Sequence, residues 1–315
     1  IYGLVTAGFL HRTGTSSTAP QVRDARIEEH RNLGVAFYRT GMFDEAERVY
    51  RRVEELRPAD PDASLHLGLI ALRKARWPEA LTALKRAREL GGPRRDICHN
   101  LGLALEQLGD LDEAEAAWEE AVGEEEDPRC LTGWGILALK REDWPAARDR
   151  LGRARAAFGD RTPPALWFWA ASLAATLEED TDESVSIARE GIAAHPSEAV
   201  LRNNLAVLLE GTGDLAAADL LLREAMEEAP ALPQIAKNLG DLLYRAGRYD
   251  EALEHYERVK KLAPALGDDL YFKLGNIAYR RHDPDAARTH WERAVELNPG
   301  HELARTNLET LGAVA

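Results

Sequence analysis

Cysteine and long apolar runs are scarce in this sequence, and each scarcity excludes a class of protein. The chain has 315 residues but only two cysteines, Cys98 and Cys130. A disulfide-rich fold is therefore excluded, and two small buried thiols are predicted instead. The apolar N-terminal stretch, residues 1–10, is about half of the ~20 residues that span a bilayer as a helix.

Lysine is also scarce, and the charge balance is acidic. Only seven of the 40 basic residues are lysine, and the net charge is −14. A protein that binds nucleic acid through its phosphates needs many lysines and arginines to neutralise them. We therefore predict no nucleic-acid partner.

The motifs of common enzymatic chemistry are absent. The sequence contains no GxxxxGK[ST], HExxH, GxSxG or CxxC pattern, and we predict no enzymatic activity, no cofactor and no metal. His66 and His99, with Cys98 beside His99, are the best group of candidate metal ligands. They lack a recognisable ligand spacing, so polar interaction residues are the favoured interpretation.

What is present is a repeated unit, clearest in residues 238–264, NLGDLLYRAGRYDEALEHYERVKKLAP. Apolar and small residues recur at helical spacing on each side of Gly247, which predicts two helices. Gly247 ends the first helix, because glycine adopts a left-handed conformation without a Cβ penalty. Asp250 is predicted to cap the second helix, and Pro264 prevents its continuation.

The unit recurs eight times along the chain at intervals of 33 to 37 residues. The first helix of each unit carries a small residue at Gly34, Gly68, Gly102, Gly135, Ser172, Ala206, Gly240 and Gly275. Twelve residues later the second helix carries Ala46, Ala80, Ala114, Ala147, Ser184, Ala218, Ala252 and Ala287. Four residues further on lies a bulky residue, with Ala188 as the exception: Tyr50, Leu84, Trp118, Leu151, Ala188, Leu222, Tyr256 and Trp291.

This period and its W/L-G-Y…A…F…P pattern resemble the tetratricopeptide repeat family. The resemblance implies an all-α fold: an α-solenoid of about eight helix-turn-helix repeats in a right-handed superhelix whose concave side binds proteins or peptides. The predicted repeats are residues 27–60, 61–94, 95–127, 128–164, 165–198, 199–232, 233–267 and 268–300. Residues 301–315 are predicted to form a C-terminal capping helix, so that residues 20–315 are the superhelix.

One joint between repeats is irregular. The period reaches 37 residues between the fourth and fifth repeats, where Gly159 is predicted to end a helix and Thr162 to cap the next. Two interpretations stay open. The joint is either a hinge that separates two lobes of four repeats or a harmless insertion.

Residues 1–19 form an apolar arm and a polar linker. The arm is the stub of a membrane anchor, a segment that docks on the superhelix, or a remnant of cloning. His11 and Arg12 follow the apolar run, which favours a cytoplasmic body if the arm is an anchor. The predicted location is cytoplasmic, with membrane association through the arm as the alternative.

The resemblance also implies which first-helix positions line the concave groove. One of them reads Asn32, Asn100, Asn204, Asn238 and Lys273 in five repeats. The four asparagine amides would grip an extended backbone or are simply typical of the family. Another position is basic in five repeats, at Arg39, Arg73, Lys140, Arg245 and Arg280. Tyr244 completes the polar set. A carboxylate clamp is not predicted, since Asp241 and Asp269 occupy positions that need a neutral and a basic residue.

Repeats four to six differ, because their groove positions are apolar. The residues concerned are Ile136, Leu139, Leu166, Trp169, Ala170, Leu173, Leu177, Val200 and Val207. Trp169 is the predicted anchor, since Phe168 already fills the neighbouring packing position, whereas Trp167 has no assigned role. We predict a non-enzymatic scaffold that binds a partner helix or peptide in this groove. The alternative is a membrane-tethered bacterial assembly or quality-control factor.

Overall fold

A computed structural model describes residues 19–123 and 126–314, and within them every regular element is a helix. The predicted arm lies outside the described residues, apart from Ala19, where the first helix begins. The helices are α1 (Ala19–Arg39), α2 (Phe43–Leu56), α3 (Pro61–Arg73), α4 (Trp77–Glu89), α5 (Arg94–Leu108), α6 (Leu111–Val122), α7 (Pro128–Lys140), α8 (Trp144–Phe158), α9 (Ala165–Leu177), α10 (Thr181–Ala194), α11 (Ala199–Gly211), α12 (Leu215–Glu228), α13 (Pro233–Arg245), α14 (Tyr249–Leu262), α15 (Asp268–Arg280), α16 (Pro284–Leu297) and α17 (Glu302–Val314).

The helices pack as consecutive hairpins, which confirms the predicted all-α solenoid. Each odd-numbered helix from α1 to α15 is the first helix of a repeat, and the even-numbered helix after it is the second. The capping helix α17 packs on α16. Ala304 of α17 is fully buried, while Glu302, Arg305 and Glu309 are exposed. Among the described residues, none of the helices has both the length and the apolar character of a membrane span.

The chain forms two compact units, one up to Leu137 and the other from Ala138 onward. The division therefore falls inside α7 and not at Gly159. The segment after Gly159 is hydrogen-bonded on both sides: His195 Nε2 donates to the Pro163 carbonyl at 2.7 Å, and Trp167 Nε1 donates to the Leu151 carbonyl at 2.9 Å. Both interpretations of the joint, a hinge and a harmless insertion, stay predictions.

Glycines and aspartates set the helix ends, with two corrections to the sequence analysis. Gly159 and Gly247 follow α8 and α13 with φ of 59° and 75°, as predicted. Asp250 does not cap α14, because that helix already begins at Tyr249 and Asp250 instead pairs with Arg281. Thr162 does not cap α9, since Pro164 precedes its first residue and makes no side-chain cap. Aspartates do cap α8, α10, α12 and α16, from Asp143, Asp180, Asp214 and Asp283.

The core of most repeats is a small residue of the first helix against a bulky residue of the second. A Cβ added to Gly275 would lie 2.4 Å from Trp291, and one added to Gly102 would lie 2.6 Å from Trp118. Any side chain at these glycines would force the helices apart. The repeated pattern thus records direct contact between the two helices of a hairpin.

Candidate interaction surface on the first helices

An apolar patch lies on α9 and α11 in the second unit. We define the apolar patch as Leu166, Trp169, Leu173, Leu177, Val200 and Val207. The exposed fractions of Leu166, Val200 and Val207 are 55%, 42% and 46%, and that of Leu177 is 38%. Trp169 and Leu173 are half-buried. Large apolar side chains this exposed on neighbouring helices are typical of a surface that another molecule covers.

Three sequence assignments near this patch change. Leu139 and Ala170 were predicted to face the groove, but their exposed fractions are 8% and 0%, since both pack between helices. Trp167, which had no assigned role, is a packing residue that is 6% exposed and bonded to α8 through its indole. Ile136 is half-buried and belongs to the first unit.

The first unit carries an apolar row that was not predicted from the sequence. The residue directly after the small residue of the first helix is Val35, Leu69 and Leu103 in repeats one to three. Leu103 is 40% exposed, and the other two are half-buried. The same position carries Leu173 and Val207 in the patch, so a comparison of that one position across the repeats would have revealed the row.

The predicted asparagine row is engaged mostly within the chain. Asn100 Nδ2 donates to the Asp96 carbonyl of its own helix at 2.6 Å. Asn238 Nδ2 donates to Asn203 Oδ1 at 2.8 Å and thereby links α13 to α11. Asn204 Oδ1 accepts from Asn203 at 3.5 Å, and Asn32 is exposed. Amides bonded in this way are less available to hold the backbone of a ligand.

The predicted basic row lies at the last turn of the first helices, and several of its members have local partners. Arg73 Nε donates to the Tyr38 hydroxyl at 3.3 Å. Arg245 pairs with Glu210, although 62% of the arginine side chain stays exposed. The Arg280 guanidinium lies 4.6 Å from the centre of the Tyr249 ring, in a cation–π contact. Arg39 and Lys140 are exposed.

Tyr244 packs edge-on against Tyr249, with ring centroids 5.3 Å apart, and its hydroxyl accepts a hydrogen bond from Asn276 Nδ2 at 3.1 Å. It therefore connects α13 to α14 and α15. Tyr244 is therefore held in place by its neighbours.

Asp241 of α13 lies at the centre of a polar cluster. Its carboxylate accepts from Lys237 at 2.7 Å, from Lys273 at 2.8 Å and from the Tyr256 hydroxyl at 2.7 Å. Burial by itself would raise the pKa of Asp241, but the bonds from both lysines outweigh it and hold the pKa below its usual range. Lys273 also pairs with Asp269 at 2.6 Å. The two lysines and two aspartates of the cluster thus neutralise one another's charges.

The cysteines are free and buried, as predicted. The thiol next to His99 is that of Cys130 and not Cys98, at 3.7 Å from Nδ1. Burial raises the pKa of each thiol to about 12. His66 stacks on Tyr50 with ring centroids 4.4 Å apart. Within the described residues, histidine, cysteine and carboxylate groups do not come together in threes as a metal site requires.

These features define a helical-repeat protein with exposed apolar side chains on its first helices. Sequence models of the tetratricopeptide repeat match residues 31–95 and 132–199, residues 95–126, 233–266 and 268–301, and residues 199–228. Together these matches cover most of the chain. The chain belongs to the tetratricopeptide repeat family, whose members typically mediate contacts between proteins.

One curated relative is the protein CTR9 homolog of Arabidopsis thaliana, 24% identical over 285 residues. The match covers 82% of this chain but 26% of the plant protein, so the chain spans about a quarter of that relative's length.

Two solved structures have the same fold. A chain of the APC/C hetero-tetramer Cut9-Hcn1 superposes with a TM-score of 0.66 at 13% identity, over 85% of this chain and 52% of that one. A tetratricopeptide repeat protein from Parabacteroides merdae gives a TM-score of 0.51 at 16% identity, over 91% and 99%. At these identities the likeness shows the fold alone.

Proposed function

We propose that the chain is a non-enzymatic scaffold that binds a partner protein through the apolar patch on α9 and α11. The partner segment is an amphipathic helix or a short extended peptide with apolar side chains on one face. Helix-in-groove recognition uses apolar anchors spaced along one face of a helix. The patch offers apolar contacts of that kind at four positions of α9 and two positions of α11.

The observation that carries this proposal is the exposure of the patch. Leu166 and Val200 occupy equivalent positions of adjacent first helices and are 55% and 42% exposed. Their helices also carry fully packed residues, such as Phe168 and Leu205, which are 1% and 4% exposed. Leaving several large apolar side chains in water is unfavourable by about 25 cal/mol per Å² of apolar surface. A partner that covers them recovers this free energy.

The basic residues support a polar edge to the same surface. Arg245 keeps 62% of its side chain exposed despite its pairing with Glu210, and Arg280 is exposed. Both lie in the second unit, as the patch does. Exposed charges of this kind contribute more to the association rate and to orientation than to affinity, so the apolar contacts carry the binding energy.

The experiment compares two double variants of the full chain as bait in extracts of the source organism. Leu166→Glu with Val207→Glu places two charges in the patch. Leu215→Glu with Leu220→Glu makes the same change on α12, where the side chains are 46% and 59% exposed. Captured proteins are quantified by mass spectrometry, and each specific partner is then purified and its affinity for each bait measured.

A partner that binds the wild-type chain and the α12 variant but not the patch variant supports the proposal. Equal binding to both variants, with both melting as cooperatively as the wild type, would contradict it. The membrane-tethered alternative depends on residues 1–10, which lie outside the described residues. It stays a prediction.

A further inference from the structure

A cleft of about 880 Å³ opens between α8 and α10 on the second-helix side of the second unit, away from the apolar patch. Its floor is formed by α9, where Ala171, Ala174 and Ala175 lie beside the indole of Trp167. Its size lies within the usual range of binding pockets, roughly 300–1,000 Å³. The proposed scaffold function makes no use of it.

The floor of the cleft is deep because its three packing positions, Ala171, Ala174 and Ala175, are all alanine. The fifth repeat is the only one with alanine at all three. In the seventh repeat the same positions are Leu239, Leu242 and Leu243, which are 1%, 3% and 1% exposed because the preceding second helix covers them. Methyl groups in place of leucine side chains leave the space between the second helices unfilled.

The α8 wall is open for a related reason. Gly152 follows the bulky residue of its second helix, and every other repeat has a long charged residue there: Arg51, Lys85, Glu119, Arg189, Arg223, Glu257 and Glu292. A Cβ added to Gly152 would meet no atom within 4 Å. The glycine is thus not required for packing, although glycine inside a helix is unfavourable. The wall of the cleft therefore carries no side chain at this position.

Two ion pairs cross the cleft, and on α10 their glutamates are the first and last residues of its lining. Arg148 of α8 pairs with Glu183 of α10, and Arg155 pairs with Glu190 at 3.7 Å. The two pairs are seven residues apart on both helices, which corresponds to about 10.5 Å at 1.5 Å per residue. The part of the cleft between the two pairs is therefore two helical turns long, with arginines along one wall and glutamates along the other.

We propose that this cleft is a second binding surface, which receives two turns of an amphipathic α-helix from a partner protein. Two turns present three or four apolar side chains on one face, and these would fill the space above the alanine floor. The bound helix would carry acidic residues on the flank facing α8 and basic residues on the flank facing α10, and these charges would replace the two ion pairs that cross the cleft. The chain would then hold partners on two opposite sides.

The test uses a fluorescein-labelled peptide of about 18 residues, long enough to form a helix in solution. It carries leucines on one face, glutamates on one flank and lysines on the other, and a second peptide has the same composition in scrambled order. Fluorescence anisotropy measures binding to the full-length wild type, to Gly152→Arg and to Gly152→Ala. The arginine restores a long side chain over the cleft, whereas the alanine changes helix propensity without closing it.

We expect the ordered peptide to bind the wild type and Gly152→Ala equally, and Gly152→Arg at least about 10-fold more weakly, since a closed pocket loses its anchor contacts. Equal binding to Gly152→Arg, equal binding of the scrambled peptide, or no binding to the wild type would overturn the proposal. The proposal would also be overturned if the wild type self-associates and Gly152→Arg abolishes this, because a second copy of the chain would then occupy the cleft. Leu166→Glu with Val207→Glu should leave peptide binding unchanged, so failure here is distinguishable from failure of the proposed scaffold function.

Melting temperatures provide an independent check on the glycine. Both Gly152 variants should melt at a higher temperature than the wild type, because alanine and arginine are better helix formers than glycine. A lower melting temperature for Gly152→Ala would show that packing requires the glycine, and the inference from its open surroundings would then be wrong.

Discussion

Gly191 of α10 packs directly against Phe168 of α9, so closely that an added Cβ would lie 2.8 Å from the Phe168 Cβ. This contact reverses the arrangement of the other repeats. The first helix supplies the bulky residue, Phe168 is 1% exposed, and the second helix supplies the small one. The reversal explains why Ala188 was the exception in the bulky position. Ser172 and Ser184 fill the usual small positions with hydroxyls bonded to each other.

The first prediction follows from that contact. Gly191→Ala should destabilise the chain by about 1–3 kcal/mol, because overpacking a closed helix interface forces the backbone apart. The midpoint of urea denaturation measures the change. Gly211→Ala is the matched control, since an added Cβ there meets no atom within 4 Å. Equal midpoints for the two variants would show that the close contact has no energetic consequence.

Asp241 provides the second prediction. Asp241→Asn should cost about 2 kcal/mol, because it removes the anion between Lys237 and Lys273 and leaves two partly buried ammonium groups close together. Denaturation of Asp269→Asn, which removes a more exposed partner of Lys273, is the control and should show a smaller loss. A loss for Asp269→Asn as large as that for Asp241→Asn would contradict the central role of Asp241.

Glu47 provides a prediction of pH dependence in the first unit. Burial would raise its pKa, but hydrogen bonds from Arg76, Arg51 and Lys74 lower it from 4.5 to about 2. A carboxylate with a depressed folded-state pKa stabilises the fold above its unfolded pKa, and this contribution is lost as the pH falls through the folded value. Glu47→Gln should therefore be less stable than the wild type near pH 6, by about 1 kcal/mol after solvent screening. Stability curves for both proteins should converge between pH 4.5 and pH 2; a constant difference over that window would disprove the linkage.

The buried thiols give a fourth prediction. Cys98 and Cys130 should not react with a thiol reagent at pH 8 in the native protein, because burial excludes the reagent and holds each pKa at about 12. Both should react at once in guanidinium chloride. A fast native reaction of one equivalent, lost in Cys130→Ser, would mean that the thiol beside His99 is accessible.

Trp169 gives the fifth prediction, which needs the partner identified by the capture experiment. Trp169→Ala should weaken binding by about 2 kcal/mol, or about 30-fold, because half-buried aromatic anchors dominate interface energies. Isothermal calorimetry measures the affinity, and Trp144→Ala, a change on α8, is the control. Unchanged affinity for Trp169→Ala would show that Trp169 is not an anchor, but it would not contradict binding through the other residues of the patch.

Much of the fold and part of the candidate site could be predicted, for a physical reason. Each hairpin depends on residues close in sequence, such as Gly240 and Tyr256, which lie in contact across one turn. Alignment of the repeats also predicted that Leu166 and Val207 are exposed, because equivalent positions of the repeats lie on the same face of the first helix. It failed at Leu139 and Ala170, where the local helix packing closes over positions that are open in other repeats.

By itself the sequence determined the helix pairs, their number, the polar cap and the buried cysteines, because these follow from spacing within about 35 residues. Only the tertiary structure decided the role of Trp167, the contact of Gly191 with Phe168, the local pairing of the asparagines and the open cleft beside Gly152. These depend on which atoms of neighbouring repeats meet. A periodic pattern specifies the repeated contact, whereas each departure from it is resolved only by the packing of the particular side chains around it.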